Sequence, residues 1–346
     1  MALSLRRAVL CVTLFCLFLT ATGAAFAGDD ALIVRRAAFD IGSASIKCTV
    51  ADVDTDTGNI VKVVEAYSRK LDFAEDVARS YDDNLSREIM DKGLEVLKEL
   101  KLEALNLRAT QFSAVGGAVF REARNGRAYF VTIKKEIGIS ARVVSKQQGA
   151  VLNFYSVQQV ENVSLRDLLV WDIGGASQEM TVRVESGALA FYIDSMGSVP
   201  FKHAVISKIQ GKDFNLVLSP NPVSADQVQR ALEYVETYAT MNTNPMIGKR
   251  IRSGLVNIYG IGGVHYYAVP EQIGGREPFY TREDVQAAVE KWTAQPDEAF
   301  ESEYASSRLT NLILVLGYMN ALGIDKVSPL KVNQTEGLLV SPEFWR

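Results

Sequence analysis

The stretch Asp40-Ile41-Gly42-Ser43-Ala44-Ser45 recurs in the second half of the chain as Asp172-Ile173-Gly174-Gly175-Ala176-Ser177, with a change only at the fourth position. Each copy follows an apolar, strand-like segment and precedes another, Ile46 to Val53 after the first copy and Glu179 to Val184 after the second. Because glycine and small residues between two such segments are typical of tight turns, each copy is predicted to form a strand, a turn and a strand. The repetition indicates two similar structural units.

The composition of these two turns suits phosphate binding. Glycine and other small residues let backbone N–H groups converge on an anion, because no large side chain stands in the way. The carboxylate that precedes each turn, Asp40 or Asp172, can hold a hydrated divalent cation, and Mg²⁺ prefers a few carboxylates together with water and phosphate oxygens. A single copy would be interpreted as an ordinary hairpin turn. The duplication favours a function, in which the two turns face each other and clamp one phosphate group.

A third Gly-rich turn follows later in the chain. The strand-like run Val256 to Tyr259 ends in Gly260-Ile261-Gly262-Gly263. Glycines after a strand often mark only a tight turn before a helix. The position of this turn after the two Asp-containing turns predicts that it lines the same cleft.

Strand-like and helix-like segments alternate along the chain, since the hydrophobic period changes between about 2 and about 3.6 residues. This pattern predicts an α/β fold. Strands at 32–41, 45–53 and 60–67 should form an antiparallel meander. The apolar helix at 309–322 is too short to span a bilayer and is predicted to lie in a core. The other predicted elements are helices at 84–105, 148–160 and 225–240, strands at 111–115, 142–144 and 168–173, and loops at 219–223 and 242–248.

The N-terminus is typical of a secretory signal peptide. Arg6 and Arg7 precede an apolar stretch, Ala8 to Leu19, which is followed by the small-residue pattern Ala25-Phe26-Ala27. We therefore expect cleavage after Ala27 and a periplasmic or secreted protein, with an uncleaved anchor as the alternative. The remainder of the 346 residues has a suitable length for two domains of about 150 residues each.

Composition narrows the function classes. The formal net charge is −4 and no run of Lys or Arg is present, which argues against nucleic acid or an anionic membrane as the main partner. His203 and His265 are the only histidines, so a His-rich metal site cannot form. Neither lies near a nucleophile-elbow motif, which argues against a Ser-His-Asp triad. Cys48 is the one cysteine outside the expected signal peptide, so no intramolecular disulfide is expected.

These motifs resemble those of the exopolyphosphatase and guanosine pentaphosphate phosphatase (Ppx/GppA) family, within the actin-like ATPase superfamily. Phe39 to Lys47 is similar to the family's first phosphate loop, Leu169 to Glu179 to its second, and Tyr259 to Val264 to its third Gly-rich turn. Phe120-Arg121-Glu122-Ala123-Arg124-Asn125 is similar to the family's Leu-Arg-Glu-Ala-Lys-Asn segment. Thr335 to Leu339 is similar to its Arg-Glu-Gly-Leu-Leu ending.

The resemblance covers most of the chain between residues 34 and 340 and implies two actin-like (ribonuclease H-like) domains that flank a cleft. We place the first domain at 31–124 and the second at 125–346, and leave open whether the C-terminal segment returns to the first domain. The resemblance also implies that Asp40 and Asp172 hold Mg²⁺ and that Arg121 approaches the phosphate chain. Phosphate would bind the backbone of the three turns, at Gly42, Ser43, Ala44, Ser45, Gly174, Gly175, Ala176, Ser177, Gly260, Gly262 and Gly263.

One departure from the family pattern affects catalysis. The family's Ser-Gly-x-Glu-Glu-Ala-Arg segment carries the glutamate thought to activate water, and here Gln147 and Gln148 stand where glutamates are expected. A glutamine can orient a water molecule but cannot accept its proton. Gln148 is therefore a candidate for orienting water, and another carboxylate would have to act as the base. The candidates are Glu122, Glu179 and Glu336, each of which also fits a solvated or structural role.

Two main functions remain open. The first is an exported hydrolase that uses Mg²⁺ and water to release the terminal phosphate of polyphosphate or of another phosphorylated small molecule. The second is a protein that binds polyphosphate or nucleotides as a sensor or scaffold and has lost hydrolysis. A sugar kinase, which would need ATP, is a third option. The sequence predicts no nucleic-acid partner and no stable membrane insertion after cleavage, and it leaves a homodimer open.

Overall fold

Two mixed β-sheets form the framework of the protein. The computed structural model describes residues 32–275, 277–302 and 304–345. The predicted signal peptide, residues 1–27, lies outside the described residues. Within the described ranges, no helix is both long enough and apolar enough to cross a membrane.

The first sheet contains the predicted antiparallel meander. Its strands are β1 (Ile33–Ile41), β2 (Ser45–Asp54), β3 (Asn59–Lys70), β4 (Gln111–Gly116) and β5 (Ser140–Val143), in the spatial order β3-β2-β1-β4-β5. The meander is formed by β1, β2 and β3, and both β4 and β5 run parallel to β1. The helices of this half are α1 (Phe73–Ala78), α2 (Arg87–Asn106), α3 (Ala118–Glu122) and α4 (Gly126–Ile137).

The second sheet repeats this arrangement. Its strands are β6 (Leu168–Ile173), β7 (Gln178–Arg183), β8 (Leu189–Asp194), β9 (Asn257–Ile261), β10 (Tyr280–Thr281) and β11 (Lys326–Pro329). The series β8-β7-β6-β9-β11 reproduces the first sheet, with two antiparallel pairings followed by two parallel ones, and β10 adds an antiparallel edge. The duplicated motif of the sequence thus reflects a duplicated α/β unit, as predicted.

The remaining helices complete the second half and connect the two sheets. They are α5 (Lys146–Glu161), α6 (Ser198–Ala204) with a π-helical continuation (Val205–Ile209), α7 (Ala225–Asn242), α8 (Pro245–Arg252), a π-helical turn (Val264–Ala268) that leads into α9 (Val269–Ile273), α10 (Arg282–Trp292), α11 (Ala305–Leu322) and α12 (Gln334–Val340), together with 3₁₀ turns at Asp297–Phe300 and Pro342–Phe344.

Each sheet has its own hydrophobic core. Phe39 and Ile41 of β1 pack with Phe120 in one core, and Trp171 of β6 packs with Ile313 in the other. Helix α11, the predicted core helix, is buried on every face between Arg308 and Met319. Burial of large apolar side chains of this kind contributes about 1.5–3 kcal/mol per residue, which fixes both central strands firmly.

The structure departs from the predicted boundaries at two places. Strand β5 belongs to the first sheet, so that sheet continues past the boundary that we place after Arg124. The reason is a second parallel crossover, in which α4 connects β4 to β5. The predicted loop at 242–248 is also partly helical, because Asn244 caps α8 and Pro245 suits the first position of a helix.

The C-terminal helix α12 packs against α5 and against the first three strands. The Gly337 backbone N–H donates to Ser156 Oγ at 2.8 Å, and the Thr49 and Thr335 hydroxyls are 2.6 Å apart. Gly337 has no room for a side chain, since a Cβ there would lie 2.0 Å from the Leu152 carbonyl oxygen. The C-terminal segment therefore closes against the first sheet through a tight helix-to-helix contact.

Replacing Gly337 with Ala should separate α12 from α5, because the added methyl group meets rigid backbone. We expect Gly337→Ala to lower the free energy of unfolding by about 2 kcal/mol or more. Gly248→Ala is the matched control, since a Cβ at this helical glycine meets only the Arg252 guanidinium group, at 3.0 Å or more. Urea unfolding followed by circular dichroism measures both variants, and equal stabilities would contradict the proposed contact.

Candidate phosphate-binding cleft

The two Asp-containing turns have the same backbone structure. The Gly42 N–H donates to the Ser45 carbonyl oxygen at 2.9 Å, and the Gly174 N–H donates to the Ser177 carbonyl oxygen at 2.9 Å. Each turn therefore closes through a hydrogen bond between its first and fourth residues. The residues between these positions are exposed in both copies.

Two successive carbonyl groups of each turn bond to neighbouring backbone. In the first turn, the carbonyl oxygens of Ser43 and Ala44 accept hydrogen bonds from the N–H groups of Ala74 and Leu71. In the second turn, those of Gly174 and Gly175 accept from the N–H groups of Ser198 and Val199, at the start of α6. A trans peptide points its N–H opposite to its carbonyl group. The N–H groups of Ala44, Ser45, Gly175 and Ala176 are consequently directed away from the anchoring elements, as an anion site requires.

A further glycine, Gly197, packs directly against the backbone of the second turn. Gly197 precedes α6, and a Cβ at this position would lie 2.5 Å from the Ser177 nitrogen and 2.7 Å from the Ala176 carbonyl carbon. The Gly197 φ angle is −85°, which any residue adopts. Glycine is therefore needed here for space, because the backbone of α6 approaches the turn closely.

The third Gly-rich turn lies beside the second. Strand β9 runs parallel to β6, with Asp172 opposite Ile261, so both turns emerge at the same edge of the sheet. Gly262 has a φ of +82°, and a Cβ there would lie 2.4 Å from Asp172 Oδ1. Only glycine allows the third turn to pack on this carboxylate.

Asp172 is paired across the hairpin with a second carboxylate, Glu179. Asp172 Oδ2 accepts a hydrogen bond from Asn153 Nδ2 at 3.1 Å. Burial raises the pKa of Asp172 to about 6. Burial first, and then the negative charge of Asp172, raise the pKa of Glu179 to about 7, while the nearby Arg121 and Lys146 limit the rise. Two adjacent carboxylates with cations beside them form the acidic centre of the second half.

Asp40 occupies the equivalent position in the first hairpin, but its cross-strand partner is Lys47. Burial raises the pKa of Asp40, and the Lys47 ammonium and the Gln334 backbone N–H oppose this rise. Glu336 of α12 lies nearby, its pKa is also raised by burial, and its Oε2 atom is buried without a hydrogen-bond partner. The first half therefore places one half-buried carboxylate beside a lysine and a second carboxylate.

Helix α5 connects the two acidic centres. Asn153 of this helix donates to Asp172, and Gly149, one turn earlier on the same face, lies against Gln334, where a Cβ would be 3.2 Å from Nε2. Gln334 in turn lies beside Asp40. One face of α5 therefore contacts both neighbourhoods, and the meeting of Asp40 and Asp172 stays a prediction.

The side chains predicted for catalysis occupy different environments. Arg121 Nη1 donates to the Val144 carbonyl oxygen at 2.9 Å and lies close enough to Glu179 to affect its pKa. Glu122 is exposed on α3. Gln148 is exposed, and its Oε1 accepts a hydrogen bond from the Ser145 N–H at 2.9 Å within a capping box at the start of α5. The amide of Gln148 is therefore engaged in capping a helix.

The donor set around the turns suits a hard cation. Carboxylate oxygens are the ligands that Mg²⁺ prefers, and Mg²⁺ usually takes one or two of them together with water and phosphate oxygens. Glu336 Oε2 is a buried oxygen that lacks a partner. Among the described residues, no three Asp, Glu, His or Cys side chains converge to form a complete metal site. The carboxylates near the turns therefore match the ligand chemistry of Mg²⁺ without completing its coordination.

A cavity of about 530 Å³ adjoins the second and third turns. Gly174 and Gly263 lie on its turn side, and an ion pair between Arg308 and Glu271, with Nη2 and Oε2 2.5 Å apart, lies on another wall. A group attached to a turn-bound phosphate would have room here.

Sequence reasoning missed two features of this site, the hydrogen bond from Asn153 and the cross-strand pairing of each Asp. Nothing in the pattern marks Asn153, because one amide in a helix carries no signal of a distant partner. Lys47 and Glu179, in contrast, both stand seven positions after the Asp of their motif. Hairpin register alone could have predicted that they pair across the strands with Asp40 and Asp172.

Comparisons with known proteins agree with these observations. The sequence profile of the Ppx/GppA phosphatase family matches residues 49–213. The crystal structure of a Ppx/GppA family member from Aquifex aeolicus superposes with a TM-score of 0.70 at 19% identity and covers 90% of this chain and 98% of that chain. An exopolyphosphatase from Cytophaga hutchinsonii superposes with a TM-score of 0.60 at 17% identity, covering 88% of this chain and 96% of that chain.

Among curated proteins, a bifunctional 3-dehydroquinate synthase/phosphatase from Fusobacterium nucleatum is 24% identical over 212 residues. The match includes 60% of this chain and 31% of the relative, so the chain spans about a third of that protein's length. The family profile and the shared fold agree with the resemblance that the motifs indicated, and the chain is related to the Ppx/GppA phosphatases.

Proposed function

We propose that this protein hydrolyses phosphoanhydride bonds and that the terminal phosphate of polyphosphate is its substrate. The observation that carries the proposal is the pair of matched turns, whose carbonyl groups are anchored so that their N–H groups face outward. Two similar proteins, an exopolyphosphatase and a bifunctional synthase/phosphatase, agree with this chemistry. Lys47, Lys146 and Arg121 would offset the negative charge of the phosphate chain.

Glu179 is our candidate for the general base. It lies directly across the hairpin from Asp172, at the edge where the second and third turns meet. Catalysis requires a carboxylate that can accept a proton from water within reach of the phosphate. Glu122 is exposed and Gln148 caps a helix, so Glu179 fits this position better than either of them.

Asp40 and Asp172 are our candidates for holding Mg²⁺. When bound, the cation would neutralise charge on the phosphate oxygens. Asn153 would hold the Asp172 carboxylate in place through its hydrogen bond, and Gly262 leaves the other carboxylate oxygen its space. Export is also part of the proposal. It rests on the signal-peptide pattern of the N-terminal sequence, which lies outside the described residues.

A second candidate function is a phosphate-binding sensor or scaffold that has lost hydrolysis. Two observations favour it. The amide of Gln148 stands where the family pattern has a glutamate, and it is engaged in the capping box. The cavity beside the second turn has room for a nucleoside attached to the phosphate. The two functions differ in whether the bound phosphate is released as product.

Asp172→Asn and Glu179→Gln should each abolish most of the hydrolysis while the fold is retained. We expect Mg²⁺-dependent phosphate release from polyphosphate to fall about 100-fold or more in each variant, since one loses a cation ligand and the other a base. Glu65→Gln, an exposed carboxylate on β3, is the control and should keep full activity. If Glu179→Gln releases phosphate at the unchanged rate, Glu179 is not the general base.

Gln148→Glu tests the competing function. A glutamate can accept the Ser145 N–H as glutamine does, so the capping box and the fold should persist. If the protein is a binder that lacks only the family glutamate, the unsubstituted chain should release no phosphate and Gln148→Glu should gain activity. If the protein is a hydrolase that uses Glu179, the unsubstituted chain is already active. Phosphate release by the unsubstituted chain therefore contradicts the binding-only function.

Gly197→Ala should displace the second turn without removing a functional group. The added methyl group meets the backbone of Ala176 and Ser177, and a displacement of about 1 Å costs up to about 100-fold in rate. We expect kcat/KM for polyphosphate, measured well below the thermal unfolding midpoint of the variant, to fall about 10- to 100-fold. Gly275→Ala, where an added Cβ meets nothing within 4 Å, is the control. Full activity in Gly197→Ala would show that the turn does not position the substrate.

A further inference from the structure

A second, basic pocket lies at the edge of the second sheet that is opposite to the turns. It is a cavity of about 240 Å³ whose lining includes Arg166, Asp167, Arg183, Glu185, Arg250 and Leu255. Arg166 and Asp167 immediately precede β6, and the second turn follows β6. At about 3.3 Å per strand residue, the pocket and the turn are roughly 20 Å apart.

The central group of this pocket is the buried Arg250. Only 8% of its surface is exposed, and helix α8 holds it in place by packing Ile247 and Ile251 into the core. Its Nη2 donates to the Arg166 carbonyl oxygen at 2.5 Å, and its Nε has no hydrogen-bond partner. The Nε of Arg183, on the neighbouring wall, is buried without a partner in the same way.

The carboxylates around the pocket leave its positive charge uncompensated. Glu185 is paired with Lys249, whose Nζ lies 3.4 Å from Oε1. Within the described part of the chain, none of the three arginines forms an ion pair. Asp167 also lines the cavity, so three guanidinium groups face a single unpaired carboxylate. Guanidinium groups stay charged at any ordinary pH, and burying one without an anion is costly.

We propose that this pocket binds a phosphate group. Guanidinium groups donate paired hydrogen bonds to phosphate oxygens, and a dianion in the cavity would offset the positive charge of the three arginines that line it. The phosphate could be free inorganic phosphate or the end of a larger phosphorylated molecule. The proposal rests on the pocket alone and does not require that the turns of the cleft hydrolyse anything.

Calorimetric titration with inorganic phosphate at low ionic strength tests the site. We expect Arg250→Met and Arg183→Met each to weaken one binding event about 30-fold or more, since a desolvated charge partner is lost. Lys212→Met, which removes an exposed cation that does not line the pocket, should change the affinity less than about 3-fold. Asp172→Asn should leave the same event intact, because Asp172 lies at the other edge of the sheet. A phenyl phosphate arm distinguishes the sources, since a pocket for free phosphate excludes the ester and a pocket for a larger molecule admits it.

Several outcomes would overturn the proposal. These are the absence of any binding event in Asp172→Asn, and an event in Asp172→Asn whose affinity is unchanged when Arg250→Met or Arg183→Met is added. Circular dichroism shows whether Arg250→Met folds, and Arg183→Met, at the pocket wall, provides the second test if it does not. Polyphosphate hydrolysis is measured on the same samples, so loss of the pocket and loss of the cleft activity are distinguished.

Discussion

Helix α5 packs Phe154 and Val157 on the second sheet, and the hydrogen bond from Asn153 to Asp172 joins this helix to the second acidic centre. The same helical face carries Gly149, whose lack of a side chain admits Gln334 and with it the N-terminus of α12. Helix α12 also packs on β1, β2 and β3. The contact between α5 and α12 therefore determines the position of the first acidic centre relative to the second. Without it, the two hairpins would be similar but independent.

Hydrogen bonds to neighbouring backbone set the direction in which the N–H groups of each turn point. A Gly-rich turn by itself is flexible and loses considerable backbone entropy when it is ordered around an anion. Here two carbonyl groups of each turn are fixed by neighbouring N–H groups before any ligand arrives. The anchors differ, since residues 71–74 serve the first turn and the start of α6 serves the second. Similar turns have thus acquired different supports, and the second support depends on the close approach of Gly197.

The parts of the fold that follow local rules could be predicted from the sequence. The meander, helix α2, the paired turns and helix α11 all appear close to their predicted bounds, since each follows from hydrophobic period and turn composition. The extent of the first sheet could not be inferred, because β5 is a short strand whose four residues are only half-buried, and its place depends on pairing with β4. Helix α8 was hidden by Asn and Pro, which mark loops and helix starts alike. For the site, the turns and both Asp residues were visible in the pattern, whereas Asn153 became apparent only from tertiary contact.

The duplicated hairpins are alike in backbone and unlike in charge. The residue opposite Asp40 is Lys47, and the residue opposite Asp172 is Glu179, although both pairs occupy the same register. Burial raises the pKa of Asp40, and Lys47 opposite it opposes that rise. Two carboxylates opposite each other resist simultaneous ionisation, so the second hairpin can retain a proton near neutral pH. A symmetric clamp could hold a phosphate but would have no preferred side for attack by water. In the proposed mechanism, the difference between Lys47 and Glu179 would supply that preference, because only the second hairpin carries a carboxylate opposite its Asp.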